Sequence, residues 1–306
     1  MRQEIYTFRV GEAACTALCD GTLAYPVAIV TQGLSEEEQA HLTSQYDAAG
    51  GHVKIPYTAL LVETARERIL LDTGAGPLGP DTGRLPSLLE SRWIAAESIA
   101  VVILTHGHPD HIGGVTDASG QPRFPNARYI MGAGEWRFWT DEATLEKCAR
   151  KELYGLGLFD QLIGEGARKY LPPLASRLEL VESEVEISPG MRVAPAPGHT
   201  PGHLAVIIAS GREQCLFVGD ALVLPLQAER PEWNLPFDLS PDQATATRRA
   251  WFDRAASEEM LVFAYHCPFP PLGRIEPRGA AWHWVGGAGV NHGFSRIAAK
   301  DETRLG

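Results

Sequence analysis

The stretch THGHPDH at residues 105–111 directly follows an apolar run and places four side chains of metal-ligand type within six residues. In an extended segment, side chains at positions i and i+2 point to the same side, so His106 and His108 are able to bind one ion together. Asp110 and His111 follow a proline-fixed turn and are able to address a second ion beside the first. Neutral imidazole and carboxylate are natural metal ligands. The motif therefore predicts a metal site at the end of a strand.

Three more residues of ligand type follow apolar runs in the second half of the chain. His199 lies in PGHTPGH, Asp220 ends LFVGD, and His266 directly follows LVFAY. Glycine and proline predict a tight turn that aims the His199 imidazole. A single histidine after a strand is more often an ordinary surface or core residue, but the same placement recurs at all three positions. The three residues therefore join the first motif as candidate ligands.

Short runs rich in Val, Ile and Leu, bounded by turn residues, predict strands along the whole chain. These runs are 5–10, 15–18, 57–62, 68–71, 101–104, 128–131, 177–181, 191–194, 204–209, 215–218 and 261–264. Apolar residues at helical spacing and N-terminal capping signals predict helices over 35–48, 84–93, 135–162 and 240–257. The order of elements predicts two packed sheets covered by helices. No low-complexity linker divides the chain, so we expect one domain over residues 1–306.

Composition excludes several classes of protein. With 44% hydrophobic residues among 306, the chain is neither disordered nor a small disulfide scaffold. Its 27 Lys+Arg and 38 Asp+Glu give a net charge of −11, which disfavours nucleic acid and anionic membrane surfaces as partners. No apolar run approaches the ~20 residues of a spanning helix. The first residues lack a signal-peptide pattern and the five cysteines are scattered, so we expect a cytoplasmic protein.

These motifs resemble the metallo-β-lactamase superfamily, and within it methyl parathion hydrolase and its relatives. The resemblance runs from about Tyr57 to the C-terminus. It is carried by LLDTGAGPLGPDTGRL (70–85), LTHGHPDHIGGV (104–115), FPNARY (124–129), PGHTPGH (197–203), VGDALV (218–223) and AYHCPFPPLGRIEPRG (264–279). The resemblance implies the fold of that superfamily, an α/β (α+β) protein built as a four-layer αβ/βα sandwich with its metal ligands at one edge.

The resemblance also implies two divalent metal ions per chain, most often Zn²⁺, with Mn, Co or Fe as alternatives. The expected ligands are His106, His108 and His199 for the first ion, Asp110, His111 and His266 for the second, and Asp220 as the bridge between them. Two ions close together lower the pKa of a water between them. The resulting hydroxide would be the nucleophile, so Asp110 and Asp220 are the expected catalytic carboxylates.

Other residues are expected to support the ligands or to contact substrate. Asp72 ends a strand before a glycine-rich loop, where the family uses an aspartate that orients ligands; the alternative is an aspartate that caps a turn. His203 is expected to be structural or to lie behind the ligands. Residues near the expected mouth are candidates for the substrate pocket, with core packing as the alternative for each: Leu78, Trp136, Phe138, Trp139, Trp233 and Phe269.

The sequence thus predicts a dinuclear metal hydrolase in which a metal-bridging hydroxide attacks a small apolar ester: a lactone, an aryl ester or a phosphotriester. The alternatives are a glyoxalase II-like thioesterase and a mononuclear-iron persulfide dioxygenase. The first of these needs a helical C-terminal domain, whereas residues 273–285 indicate strand and loop. Val223 stands where lactonases of the superfamily carry a tyrosine, which puts a lactonase that relies on that phenol in doubt. We expect a small-molecule substrate, and the resemblance is compatible with a homodimer.

Overall fold

Two β-sheets form the frame of the protein in the computed structural model, which describes residues 3–287. The strands are β1 (Ile5–Val10), β2 (Ala13–Pro26), β3 (Asp47–Ala49), β4 (His52–Glu63), β5 (Arg68–Leu71), β6 (Ile99–Ile103), β7 (Arg128–Gly132), β8 (Leu178–Val181), β9 (Val185–Ser188), β10 (Met191–Pro195), β11 (Leu204–Ser210), β12 (Glu213–Phe217), β13 (Leu261–Phe263), β14 (Leu272–Arg278) and β15 (Ala281–Gly286). The α-helices are α1 (Val27–Val30), α2 (Glu36–Ser44), α3 (Leu85–Ser91), α4 (Pro109–Ile112), α5 (Ala133–Thr140), α6 (Glu142–Ala149), α7 (Leu158–Tyr170), α8 (Leu226–Glu229) and α9 (Pro241–Ser257).

The first sheet has eight strands in the order β1-β2-β4-β5-β6-β7-β8, with β3 paired to β4. The second has seven strands in the order β15-β14-β13-β12-β11-β10-β9. Most neighbours are antiparallel, but β5 to β8 run parallel to one another, as do β12 and β13. Parallel neighbours end at the same edge of a sheet, and the loops that follow them meet there.

Residue alternation along the central strands explains the four layers. In β6, Val101 and Ile103 belong to the core between the two sheets, whereas Val102 packs in the core under the outer helices. In β13, Leu261 and Phe263 face the other sheet, and Val262 packs toward the opposite side. A strand buried on both faces reads as a continuous apolar run, as these do. The predicted sandwich of two helix-covered sheets is confirmed.

The helix predictions are confirmed in position and corrected in detail. Ser35 and Glu38 form the predicted capping box at the start of α2. The helical region predicted over 135–162 was expected to be interrupted, and it consists of three helices. Asp141 adopts an extended conformation and caps α6, and Gly155 and Gly157 have positive φ before α7. Ser240 precedes α9 but makes no capping hydrogen bond, so that part of the prediction is wrong.

Several general features agree with the composition. All five cysteines are buried free thiols. Within residues 3–287, no helix has the length and apolar character needed to cross a bilayer. Residues 272–286 form β14 and β15, as the predicted strand-and-loop character of this segment requires. The expectation of one domain over 1–306 stays a prediction.

Packing between the sheets is testable at Phe8 of β1, whose ring lies 6.4 Å from that of Phe263 on β13. Phe8→Ala should lower the free energy of unfolding by about 3–5 kcal/mol because it leaves a cavity between the sheets. The matched control is Trp93→Ala, since this ring is 94% exposed, and its change should stay within about 0.5 kcal/mol. Urea denaturation measures both. Equal losses in the two variants would contradict the placement of Phe8.

Candidate metal centre

The loops after the parallel strands carry the candidate ligands. His106 and His108 follow β6 in an extended loop, and their rings are 4.6 Å apart. Pro109 starts the short helix α4, which carries Asp110 and His111. This matches the local geometry predicted from the motif: an extended segment, a proline turn, then two more ligand-type side chains on the same side.

The remaining candidates arrive from the second sheet. Asp220 lies in a 3₁₀ turn at Gly219–Ala221 directly after β12, and His266 follows β13. His199 lies in the loop between β10 and β11. The ends of parallel strands in both sheets therefore face one another across a single edge, which brings together side chains that are far apart in sequence.

The structure brings all seven predicted ligand residues into one buried cluster. His106, His108 and His199 form one group whose nitrogen atoms lie within 4.8 Å of one another. Asp110, His111 and His266 form a second such group. These groups match the two predicted ligand sets.

Asp220 lies between the two groups. Its Oδ1 is 3.3 Å from Nε2 of His111, and its Oδ2 is 3.3 Å from Nε2 of both His199 and His266. His106 Nε2 is slightly farther from Oδ2, at 3.9 Å. The carboxylate is therefore positioned to contact ions held by either group.

Two of the histidines are oriented by Asp72 and Thr105. Asp72 Oδ2 lies 2.7 Å from Nδ1 of His111, and its Oδ1 accepts the backbone N–H of Thr105. The Thr105 hydroxyl donates to the Asp72 carboxylate, so its oxygen accepts from Nδ1 of His106 at 3.0 Å. Both rings therefore carry their proton on Nδ1. Asp72 is buried at a positive φ of 57°. It orients ligand-type side chains, as the resemblance implies, and does not merely cap a turn.

The other three histidines are fixed in the same way by other partners. His199 Nδ1 lies 2.8 Å from Asp238, whose second oxygen accepts from the buried Arg248. His266 donates from Nδ1 to the backbone oxygen of Pro56 at 3.0 Å. His108 is reversed: its Nε2 lies 2.6 Å from the Tyr154 hydroxyl, which leaves Nδ1 facing the cluster. Every outer nitrogen thus has a hydrogen-bond partner, and a neutral ring that donates from its outer nitrogen presents a lone pair on its inner nitrogen.

The inner atoms of the rings are arranged to receive cations. His111 Nε2 lies 3.2 Å from His266 Nε2, and His108 Nδ1 lies 3.0 Å from His199 Nε2, so each pair of nitrogens needs a proton or a metal ion between or beside them. Asp220 Oδ1 and His106 Nε2 are buried without a proper hydrogen-bond partner among the described residues. A buried polar atom without a partner is costly. Metal ions remove this cost for the whole cluster, because imidazole nitrogen and carboxylate oxygen are their natural ligands.

The pKa shifts of the cluster residues are also those expected of a site that attracts cations. Burial, helped by the neighbouring His111 and His108, holds the pKa of His106 well below its usual value. Burial raises the pKa of Asp220, but the charges of His266, His111 and His199 outweigh it and hold the pKa well below its usual value. Burial also lowers the pKa of His111 and of His199, but the charge of Asp220, with those of Asp110 and Asp72 at His111 and of Asp238 at His199, outweighs it and raises both pKa values. The centre thus offers an ionised carboxylate, and metal ions would replace the protons that it otherwise attracts to His111 and His199.

His203 lies behind the cluster and contacts it through the backbone. Its Nε2 accepts the N–H of Asp220 at 2.9 Å. Burial and the charge of His199 lower the pKa of His203 to about 3, so the ring is neutral and able to accept. It belongs to none of the three groups of potential ligands in the described chain. This is the supporting position that the sequence predicts.

Three residues that support the candidate ligands were not identified from the sequence. Glu135, at the start of α5, is fully buried and accepts the N–H of Gly107 at 2.8 Å and that of Gly202 at 3.0 Å. It thereby ties the loop of His106 and His108 to the loop of His199. Asp238 and Tyr154 hold the outer nitrogens of two histidines. None of the three belongs to a local motif. In the sequence, Glu135 stands out only as an acidic residue in a helix rich in aromatic residues.

A small apolar cavity opens onto the cluster. Its volume is about 40 Å³, and five cluster residues line it: His108, Asp110, His199, Asp220 and His266. The rest of the lining is Tyr25, Val30, Ile55, Phe159, Val223, Leu224, Leu235 and Phe237. A larger hollow of about 720 Å³ contains none of the cluster side chains. The small cavity is therefore the candidate route from solvent to the cluster.

The six predicted pocket residues are not part of this lining, and the prediction is corrected here. Trp139 packs beneath Gly107 and His108 and donates its indole N–H to Glu135. Trp233 packs behind the cavity wall and donates to Gln32. The others pack against the two cores or line the larger hollow: Leu78, Trp136, Phe138 and Phe269. Large aromatic side chains most often bury area, and here they do.

The fold and this cluster define a metal-binding αβ/βα sandwich. The chain belongs to the metallo-β-lactamase superfamily, whose family model matches residues 54–266. A probable metallo-hydrolase from Mycobacterium tuberculosis, Rv2300c, is 30% identical over 244 residues, which cover 68% of this chain and 74% of the relative.

Two solved structures are also similar. AidC, a dizinc quorum-quenching lactonase in complex with a product, superposes with a TM-score of 0.82 at 26% identity, over 93% of this chain and 97% of that chain. The hydrolase AbOPH of the β-lactamase superfamily gives the same TM-score and identity, over 93% and 98% of the two chains. Family, fold and cluster together support a metal-dependent hydrolase.

The role of Glu135 is testable through stability. Glu135→Gln keeps the size of the side chain but points an amide N–H₂ at backbone N–H donors. We expect a loss of about 1–3 kcal/mol in the free energy of unfolding, because buried donors lose their acceptor. The control is Glu142→Gln, which removes a surface pair with Arg168 and should change little. Urea denaturation in the presence of a chelator compares them, and wild-type stability of Glu135→Gln would contradict the proposed link between the loops.

Proposed function

We propose that the protein is a dinuclear metal-dependent hydrolase acting on small, neutral, apolar esters, and that it is related to methyl parathion hydrolase-like members of its superfamily. The observation that carries the proposal is the inward convergence of five imidazole rings and two carboxylates. Support also comes from AidC, a dizinc lactonase of 26% identity. Zn²⁺ is the proposed metal, and Mn, Co and Fe have ligand preferences that this set also meets.

Each of the two groups of candidate ligands would hold one metal ion. His106, His108 and His199 would hold one ion, Asp110, His111 and His266 the other, and Asp220 would contact both. Two bound cations would supply a nucleophilic hydroxide near neutral pH and polarise the oxygen under attack. The protein's own contribution is orientation: each of the five imidazole rings is held through its outer nitrogen by one of Asp72, Thr105, Asp238, Pro56 and Tyr154.

The cavity supports the choice of substrate class. Outside the cluster its lining is apolar except for Tyr25, and it contains no Lys or Arg. The free-energy cost of moving a neutral ester from water into such a cavity is small. An anion would lose its hydration there, and no Lys or Arg side chain would compensate for the loss. Lactones, aryl esters and phosphotriesters all meet this description.

Observations on the chain weigh against the two alternatives. A glyoxalase II-like thioesterase was expected to need a helical C-terminal domain, but residues 272–286 form two strands. A mononuclear-iron dioxygenase would use one group of ligands and leave Asp110 and His266 without a role, although both face Asp220 or one another within 3.5 Å. The second complete group favours a dinuclear centre.

Asp220→Ala tests the central carboxylate. We expect the variant to bind about one ion fewer per chain and to lose at least about 1,000-fold in kcat, because the shared ligand of both ions is gone. Asp253→Ala, on the exposed face of α9, is the matched control and should retain metal and activity. Elemental analysis after dialysis and an esterase assay provide the readouts. Full metal content with full activity in Asp220→Ala would contradict the proposal.

The substrate class is tested with a panel assayed on the metal-loaded enzyme. It contains a lactone, an aryl ester, a neutral aryl phosphotriester and the anionic diester with the same leaving group. We expect at least one neutral substrate to turn over and the diester to be at least about tenfold slower than the triester, because the cavity contains no Lys or Arg and its lining outside the cluster is apolar except for Tyr25. A preference for the diester, or no turnover of any neutral ester, would overturn the proposed substrate class.

A further inference from the structure

Tyr25 is the only side chain in the cavity lining, apart from the His/Asp cluster, that carries a polar group. It lies near the end of β2, its ring centroid 5.9 Å from that of Phe237 across the cavity wall. The cluster itself offers lone pairs and negative charge on its inner side. A substrate oxygen entering the cavity therefore meets one neutral hydrogen-bond donor on a side chain, the phenol of Tyr25.

A second phenol determines where the Tyr25 proton points. The hydroxyls of Tyr25 and Tyr57 are 2.8 Å apart, and within residues 3–287 each is the hydrogen-bond partner of the other. Tyr57 is fully buried, does not line the cavity, and packs edge-on against His266 at 5.4 Å. One hydrogen bond joins the two hydroxyls, so one of the two protons takes part in it and the other is free.

Burial decides which proton is free. If Tyr25 were the donor, the Tyr57 proton would be buried without an acceptor, at a cost of about 1–3 kcal/mol. If Tyr57 donates, its proton is satisfied and the Tyr25 proton is free to point into the cavity. The second arrangement is therefore the stable one. Burial raises the pKa of Tyr25 above the usual value of a phenol, so Tyr25 stays protonated at neutral pH and is a permanent donor.

We propose that Tyr25 is a catalytic residue that donates a hydrogen bond to the substrate oxygen on which negative charge develops, and that Tyr57 positions it. This inference rests on the proposed hydrolase function. Val223, on the same cavity, is apolar and offers no competing donor. A donor aimed at developing charge stabilises the transition state more than the ground state. No proton needs to be transferred for this effect, so the phenol remains neutral throughout the reaction.

Two isosteric variants test the proposal, because each removes one hydroxyl of the same pair. Tyr25→Phe and Tyr57→Phe both break the bond between the phenols, so a purely structural role predicts equal effects. If Tyr25 contacts the substrate, Tyr25→Phe should lower kcat by about 100-fold with KM changed less than about threefold. Tyr57→Phe should lower kcat by less than about fivefold, because the Tyr25 donor remains.

The measurements are steady-state kinetics on the neutral esters, bound metal per chain, and urea unfolding of both variants. Equal metal content and matched stability with the expected split in kcat support the proposal. Equal kcat losses in the two variants, or a loss in Tyr25→Phe confined to KM, overturn it while leaving the hydrolase function standing. Absence of ester turnover by the wild type overturns the hydrolase function and this inference with it.

A competition assay with an uncleavable phosphonate gives a readout independent of turnover. The phosphonate should bind Tyr25→Phe at least about tenfold more weakly than Tyr57→Phe.

Discussion

The arrangement on which the site depends is the occupation of every outer imidazole nitrogen by a hydrogen-bond partner. Asp72, Asp238, the backbone of Pro56 and the hydroxyls of Thr105 and Tyr154 each hold one ring. With the outer side of each ring occupied, the inner nitrogens are directed at one another and at the carboxylates. Five such nitrogens and two carboxylates lie close together, and cations between them, either protons or metal ions, balance their charge and fill their lone pairs.

The sandwich makes this arrangement possible. Parallel strands in both sheets end at one edge, so loops distant in sequence meet there. Buried carboxylates then link the loops: Glu135 spans the loops of Gly107 and Gly202, and Asp238 joins His199 to Arg248 on α9. These links fix the relative positions of the ligands before any ion arrives. Pre-organisation of this kind explains why side chains that bind no metal are needed for the geometry of those that would.

The sequence was informative where the chemistry is local. The spacing in residues 105–111 predicts both the extended segment and the turn into α4, and strand-end placement was enough to group His199, Asp220 and His266 with it. The cavity wall could not be predicted in this way. It is built from β2, the α1 region, β4, the start of α7 and the segment around 223–237, which share no spacing or motif. The sequence analysis instead assigned the pocket to conspicuous tryptophans. Trp139 and Trp233 are core residues, and their indole N–H groups donate to Glu135 and to the backbone of Gln32.

The central claim concerns where two cations bind, and anomalous diffraction tests it most directly. Crystals of the protein grown with zinc, measured on both sides of the zinc absorption edge, should show two anomalous peaks: one among His106, His108 and His199, the other among Asp110, His111 and His266, with Asp220 beside both. Crystals that contain zinc elsewhere but show no peak within this cluster, or a single peak that leaves one of the two groups without an ion, would contradict the account.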